Sequence, residues 1–427
     1  MKNLKKCKQH YCESCEHILL EQGVKLTSCA FDCLSNVSTD EISLICKNCG
    51  NYIGECNEVR DLKRTQQTLV ESALINEKVT TVCFTAPSIR ASISEEFSSG
   101  KVEDAQGKLV TALRKLGFDV VFDMNIAADF TTVEEAHEFL KRLESGKNLP
   151  MMTSCCPGWV NYVTKFYKEF IPNLSTCKSP QQMFGALINN YYATSIGKNS
   201  TDLFVVSIVP CLAKKLEAKQ VGINSNVGFD VDAALTTTEI VSMIKKANID
   251  FENLEPSAYD SFFGTASGAG TIFGNTGGVM EAVLRTAGDS ITKTEQDEVL
   301  YKLVRGQEGI RRQTIKLGQR EIRIAVVSGI MNAKELLDNI KNGKETYDFV
   351  EVMACPGGCV GGGGQPRHDV AQIPKFTEMR AKVLYESELK LNTRKAHKNP
   401  SIQNIYKNYL GTPGGKKAKK LLHRKYD

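Results

Sequence analysis

Apolar and polar positions follow two different periods along this chain. Short apolar runs rich in β-branched and aromatic residues occur at Val79–Phe84, Phe118–Phe122, Phe204–Val209, Ile322–Val327 and Phe349–Met353, and each reads as a strand. Between them lie stretches with helical spacing, such as Val133–Leu143 and Glu239–Ala247. Strands alternating with helices predict an α/β fold in which parallel sheet is covered by helices. Folds of this kind build their sites from the loops at the carboxyl ends of the strands. A polar helical stretch, roughly Asn57 to Ile75, precedes the first strand, and from about Arg367 the pattern becomes helical and charged. The chain therefore divides into a cysteine-rich segment 1–60, a body 76–366 and a helical segment 367–427. No repeat of solenoid length is visible.

The 427 residues are 41% hydrophobic and 24% charged, the composition of a globular protein long enough for more than one core. No run reaches the ~18 apolar residues of a spanning helix, which argues against a membrane protein. The basic start, Met1 to Cys7, is not followed by the apolar run of a signal peptide, so a cytoplasmic location is expected, with an organelle left open. A net charge of +5 gives no electrostatic case for nucleic acid. The basic excess gathers at Lys416, Lys417, Lys419, Lys420 and Lys425 and reads as a solvated helix face rather than a docking patch.

Cysteine changes the picture most. In a reducing compartment, clustered cysteines bind metal or do redox chemistry rather than form disulfides. Of the 15 cysteines, eight fall within the first 56 residues, a segment with few large apolar residues that needs metal to fold. Three loops of the body carry the rest of the argument: Thr153-Ser154-Cys155-Cys156-Pro157-Gly158-Trp159, Val209-Pro210-Cys211-Leu212-Ala213-Lys214-Lys215, and Met353-Ala354-Cys355-Pro356-Gly357-Gly358-Cys359. Together they offer Cys156, Cys211, Cys355 and Cys359, the ligand number of a cubane iron–sulfur cluster. Six glycines between positions 357 and 364 let backbone approach such a group closely, which is more than a turn requires. Cys155 is a spare thiol beside a ligand.

These segments resemble the three signatures of the iron-only (diiron) hydrogenases. The likeness runs from about Val79 to the end and includes Thr85–Arg90, Phe273–Ala282 and a tail similar to that family's small subunit. The resemblance implies two lobes of parallel sheet flanked by helices around a buried metal site. It implies a 4Fe–4S cubane held by Cys156, Cys211, Cys355 and Cys359. The Cys359 sulfur would bridge to a diiron subsite carrying carbon monoxide, cyanide and a dithiolate. Lys214 and the pair Pro87 and Ser88 correspond to the cyanide contacts. Gln181, Phe273 and Met353 correspond to the pocket lining, although core packing alone would also account for them. Val209 stands where the family usually has methionine, which alters packing against the diiron unit. The expected activity is reversible reduction of protons to dihydrogen, with a ferredoxin-type electron carrier and the hydrogenase maturation enzymes as partners.

The resemblance also implies a proton route. Cys155 would be the terminal donor, reached from Arg142 and Glu138 through Ser175, Glu135 and a water. A plainer account of the same residues is a capping box from Thr132 to Glu135 and a helix ion pair between Glu138 and Arg142. Electrons would enter through the first segment, a distorted ferredoxin pattern. Under ferredoxin pairing, Cys12, Cys15, Cys29 and Cys56 form one site, and Cys33, Cys46 and Cys49 form another, completed by Cys7 or a histidine such as His10 or His17. One or two further 4Fe–4S clusters are expected there; paired zinc knuckles are the competing reading. Two other functions stay open. One is an iron–sulfur assembly or scaffold protein that resembles these hydrogenases but lacks the diiron subsite. The other is a hydrogen sensor. The Gly268–Gly274 stretch lacks nucleotide-loop spacing, Cys83 and Cys177 read as buried thiols, and His368 and His397 read as surface residues.

Overall fold

The computed structural model describes residues 57–97, 104–220 and 228–426. The expected ligands Cys12, Cys15, Cys29, Cys33, Cys46, Cys49 and Cys56 lie outside the described residues. The first element is a helix, Asn57–Leu74, where the polar periodic stretch predicts one.

Among the described residues, eight strands form two four-stranded sheets. In the first, β1 (Thr80–Thr85), β2 (Val120–Asp123), β4 (Leu203–Val209) and β5 (Ala233–Thr236) pair in the order β2-β1-β4-β5, all parallel. In the second, β3 (Met151–Met152), β6 (Ile310–Leu317), β7 (Arg320–Ser328) and β8 (Phe349–Met353) pair in the order β3-β8-β7-β6, parallel except for the β6–β7 hairpin. This is the α/β architecture of two helix-covered sheets expected above.

One large core takes in the first sheet and one face of the second, and a smaller core lies on the other face of the second. Phe84, Phe122 and Phe184 pack under the first, with ring centroids 5.1 Å apart for Phe84–Phe184 and 5.8 Å for Phe122–Phe184. Trp159, Val327, Val350 and Leu336 pack under the second. The central strands were recognisable because both their faces are covered, so they read as unbroken apolar runs. Three strands were not. β3 is only the pair Met151-Met152, too short to mark a run. β6 is an edge strand with Arg312, Gln313 and Thr314 exposed, and β5 is the short, small-residue run Ala233-Ala234-Leu235-Thr236.

The chain leaves β1 toward one edge of the first sheet and leaves β4 toward the other. The β1–β4 boundary is therefore a topological switch point, where the loops at the strand ends diverge and leave a crevice. Pro87 and Ser88 follow β1, and Pro210 and Cys211 follow β4. The second sheet aims its β3 and β8 loops at the same crevice.

Helix Asn125–Ser145 runs beneath this region and ends at Gly146, whose φ of +64° supplies a left-handed cap. It starts well before the position that the capping-box reading requires. Thr132 lies inside the helix, and its hydroxyl donates to the Ala128 carbonyl (2.8 Å), so it caps nothing.

The C-terminal segment is fixed by buried charge. Glu388, on helix Ile373–Leu389, pairs with Arg285 (3.0 Å) and Arg394 (2.6 Å), and Arg285 also pairs with Glu281 (2.6 Å). The Arg285, Glu281 and Glu388 side chains are fully buried. Arg285→Met takes the fully buried cation from two buried carboxylates, leaving them Arg305 and Arg394, and is expected to lower stability by about 3 kcal/mol. Urea denaturation, together with limited proteolysis after residue 366, checks this. Helix Lys416–Leu422 exposes its four lysines, as expected for a solvated face. Among the described residues no helix is long and apolar enough to cross a membrane.

Candidate metal centre

A cavity of about 750 Å³ opens where the strand-end loops of both sheets meet. Cys155, Cys156, Cys211, Cys355 and Cys359 all line it, although they stand as far as 204 positions apart (155 to 359) in the sequence. None of the five forms a disulfide; Cys155 is buried and the other four are partly exposed.

Local structure aims each sulfur. Cys156 sits at the N-terminus of helix Pro157–Phe166, held by the Trp159 indole N–H donating to the Thr153 carbonyl (2.9 Å). The Ala354 N–H donates to its sulfur (3.5 Å). The Ala213 and Lys214 N–H groups point at Cys211, and the Gly363 N–H points at Cys355. The glycines do what close approach demands. A Cβ on Gly362 would stand 2.3 Å from the Pro210 carbonyl oxygen, and one on Gly358, at φ +91°, would stand 2.6 Å from the Thr276 nitrogen. Larger residues would lift the third cysteine loop off the other two.

The donor set fits a multi-iron cluster better than a single ion. Among the described residues, no three of these sulfurs lie within 4.8 Å of one another, so one metal ion would not gather them. Burial pushes the Cys211 thiol up to about 11, and the Cys156 sulfur adds to the rise. Cys355 and Cys359 are pushed up likewise, by burial first and then by the neighbouring sulfurs. As thiolates these four sulfurs would repel one another, and a positive core would hold them in that form.

The other expected pocket residues also line the cavity: Pro87, Ser88, Gln181, Lys214, Phe273 and Met353, with Val209 among them. The Ser88 hydroxyl is buried and makes no hydrogen bond among the described residues, so a buried donor faces the cavity unused. Lys214 Nζ donates to the Cys155 carbonyl (3.0 Å) and pairs with Glu217 (2.8 Å). The sequence placed Glu217 at the end of the second signature segment but gave it no role. Its Oε2 also accepts from Ser179 (2.8 Å) and from Gln181 (3.1 Å), so one carboxylate fixes two cavity-wall side chains, Lys214 and Gln181, and Ser179 beside them. Its place three residues after Lys214, one helical turn away, is the sequence signal for that pairing.

Behind Cys155, away from the cavity, lies a line of polar groups. Glu135 is fully buried, and no hydrogen bond of good geometry reaches either oxygen. Burial pushes its carboxyl up to about 8; the Ser175 hydroxyl and the Ser154 N–H facing it pull the other way, and the Glu138 charge adds to the rise. Burial and then the Glu135 charge push the Cys155 thiol up as well, which keeps its proton on sulfur. Ser175 Oγ approaches Glu138 Oε2 at 3.5 Å, and Glu138 pairs with Arg142 at 2.6 Å. The structure thus sets Glu135, Ser175, Glu138 and Arg142 outside the cavity, in series outward from Cys155.

Comparison with known proteins bears on these observations. The family model "Iron only hydrogenase large subunit, C-terminal domain" matches residues 79–363, and "Iron hydrogenase small subunit" matches residues 374–427. Iron hydrogenase 1 of Clostridium pasteurianum is 42% identical over 366 residues, covering 85% of this chain and 64% of that protein. The chain thus spans just under two thirds of that relative's length. The cytosolic Fe-S cluster assembly factor narfl of Danio rerio is 32% identical over 360 residues, covering 82% of this chain and 87% of that protein. A solved structure of a variant of the [FeFe]-hydrogenase HydA1 from Chlamydomonas reinhardtii superposes with a TM-score of 0.74 at 37% identity, covering 85% of this chain and 98% of that one.

Proposed function

The chain belongs to the iron-only hydrogenase family, and from that premise we propose that it is an enzyme that interconverts protons and dihydrogen. The bound group would be a 4Fe–4S cubane on Cys156, Cys211, Cys355 and Cys359, linked through Cys359 to a diiron subsite with carbon monoxide, cyanide and dithiolate ligands. When bound, that group supplies the electrons and the iron at which hydrogen is made or split.

The chain's own residues do the rest. Lys214, held by Glu217, presents an ammonium to an anionic ligand, a strong charge-assisted donor. Ser88 offers its unused hydroxyl to a second such ligand. Phe273, Met353 and Val209 wall the space with apolar surface and keep bulk water out. Cys155, not a ligand, holds a proton at its Sγ on the cavity wall and exchanges it with Glu135 behind. Glu135 in turn is served by Ser175, Glu138 and Arg142. A carboxyl shifted to about 8 gives and takes protons readily at neutral pH. Electrons would come from a ferredoxin-type carrier through one or two iron–sulfur clusters on the N-terminal cysteines, and the cytoplasm is the expected location. Maturation enzymes would install the diiron unit.

One observation supports the reading most: a fifth thiol, Cys155, shares the cavity wall with four converging sulfurs and lies close to the buried Glu135 carboxyl. A plain iron–sulfur scaffold has no use for that arrangement. The assembly reading draws on the narfl relative and on Val209, where a methionine would fill more of the cavity. Hydrogen evolution separates the two. The full chain, co-expressed with hydrogenase maturation enzymes and supplied with reduced methyl viologen, is expected to evolve dihydrogen. A preparation with its cubane intact and no hydrogen evolution would favour the assembly role.

A further inference from the structure

The proposed route begins at Glu138 and Arg142, and Arg142 cannot pass a proton on. A guanidinium stays charged in proteins, and this one is locked: Nη1 donates to the carbonyls of Asn148 (3.0 Å), Pro172 (3.2 Å) and Asn173 (3.0 Å), and Nη2 to that of Leu174 (2.7 Å). Its role is to orient Glu138. Glu138 has a different titratable neighbour, supplied by the C-terminal segment.

Glu138 Oε2 accepts from the Thr176 N–H (3.0 Å) and the Thr176 hydroxyl (2.9 Å). The same hydroxyl lies 2.7 Å from His423 Nδ1. His423 Nε2 lies 2.8 Å from Glu134 Oε2. Strand-like pairing sets the ring in place: the Lys178 N–H donates to the Leu422 carbonyl, and the Arg424 N–H to that of Thr176, each at 2.8 Å.

Counting protons fixes the donors. The Thr176 hydroxyl has one proton, and it goes to Glu138, because a carboxylate has none to give. His423 Nδ1 must then donate to Thr176. Glu134 already accepts from the Tyr406 hydroxyl (2.5 Å) and the Gly414 N–H (2.8 Å); with Glu134 and Glu138 both as carboxylates, Nε2 must donate as well. Only a ring carrying both protons satisfies the whole network. It lies between two carboxylates, with its side chain 10% exposed.

We infer that His423 is a second proton-exchanging group of this protein, passing protons to and from Glu138 through the Thr176 hydroxyl. The inference rests on the proposed hydrogenase reading for its purpose, not for its geometry. One proton and no electrons move. The His423 Nδ1–H bond breaks as its proton passes to Thr176 Oγ, while the Thr176 hydroxyl proton passes to Glu138 Oε2. The ring is left neutral with Nε2–H still on Glu134, and solvent water returns its proton. Charge separation falls in the forward step, since a cation and an anion become two neutral groups. The charged and titratable groups around the ring are Glu134, Glu138 and His137 from helix Asn125–Ser145 and Cys177, with Tyr406 on Glu134, Lys419 near His137, and Arg424 next in sequence. Burial pushes the Cys177 thiol well up, so it does not compete as a base. His423 touches no reacting atom; it is a relay and positioning residue.

The test has two arms. In the full chain without cluster loading, ¹⁵N NMR at neutral pH should show both His423 ring nitrogens protonated, and Thr176→Val should strip the Nδ1 proton. In the matured enzyme, Thr176→Val and His423→Gln should each slow hydrogen evolution by about tenfold, with a larger loss at alkaline than at acid pH. Free imidazole should restore His423→Ala, and melting curves matching the unsubstituted chain would show that the fold is intact. A singly protonated ring in the first arm overturns the inference, as does turnover within about twofold of the unsubstituted enzyme in both variants. If the unsubstituted enzyme makes no hydrogen, the functional proposal fails in the second arm, and the first arm still decides the His423–Thr176–Glu138 network.

Discussion

Cys155→Ala is expected to lower hydrogen evolution by about a thousandfold while iron and acid-labile sulfide stay at the level of the unsubstituted chain. The substitution removes one sulfur atom and little else, because Cys155 is a small buried side chain on the wall of the cavity. The four thiols proposed to bind the cluster follow β3, β4 and β8 in the chain and do not depend on it. Its backbone carbonyl, which accepts from Lys214, is also retained. The proton has no comparable alternative carrier between Glu135 and the cavity, so the loss falls on proton transfer rather than on assembly. Iron content that drops with the activity would make Cys155 a ligand and break the division of roles among the five sulfurs.

Glu135→Gln should have two consequences of opposite sign. Turnover should fall by about a hundredfold or more, because an amide cannot take up and release the proton. Stability should rise, by an amount that grows as pH climbs from about 4.5 to about 8. The folded protein keeps the Glu135 proton up to about pH 8, against an ordinary value of 4.5. Between those values the folded state binds more protons than the unfolded chain, so stability falls as pH rises through that window. Glutamine has nothing to ionise. The variant should therefore gain on the order of 4 kcal/mol over the unsubstituted chain near pH 8 and nothing below about pH 4.5. Urea denaturation of the cluster-free chain at pH 5 and pH 8 checks the sign. A difference independent of pH would mean that Glu135 does not carry its proton across the neutral range.

How much of this could be read from the sequence depends on what kind of contact each residue makes. The cysteine loops stood out because an inorganic core constrains residue type directly: thiols to bind, glycines where backbones must touch, as Gly358 and Gly362 do. Central strands such as Phe349–Met353 stood out because burial on both faces leaves an apolar run. Helix Asn125–Ser145 was misjudged at its start. Residues 125 to 136 are buried on every side, so no amphipathic period marks them, and Thr132 looked like a cap. The charged partners were invisible for a different reason. Thr176 and His423 meet across 247 positions, and Glu134 and His423 across 289, and no local pattern encodes such a pairing. Glu217 ended a signature segment, yet nothing in the spacing said that it would anchor Lys214, Gln181 and Ser179 together.

The infrared spectrum of the full chain, purified without oxygen after co-expression with the maturation enzymes, tests the central claim most directly. A cavity that holds a diiron subsite beside the Cys156, Cys211, Cys355 and Cys359 cubane should show intrinsic carbon monoxide and cyanide stretches, and Cys359→Ala should remove them. A chain that carries its cubane under those conditions and shows neither band would contradict the account.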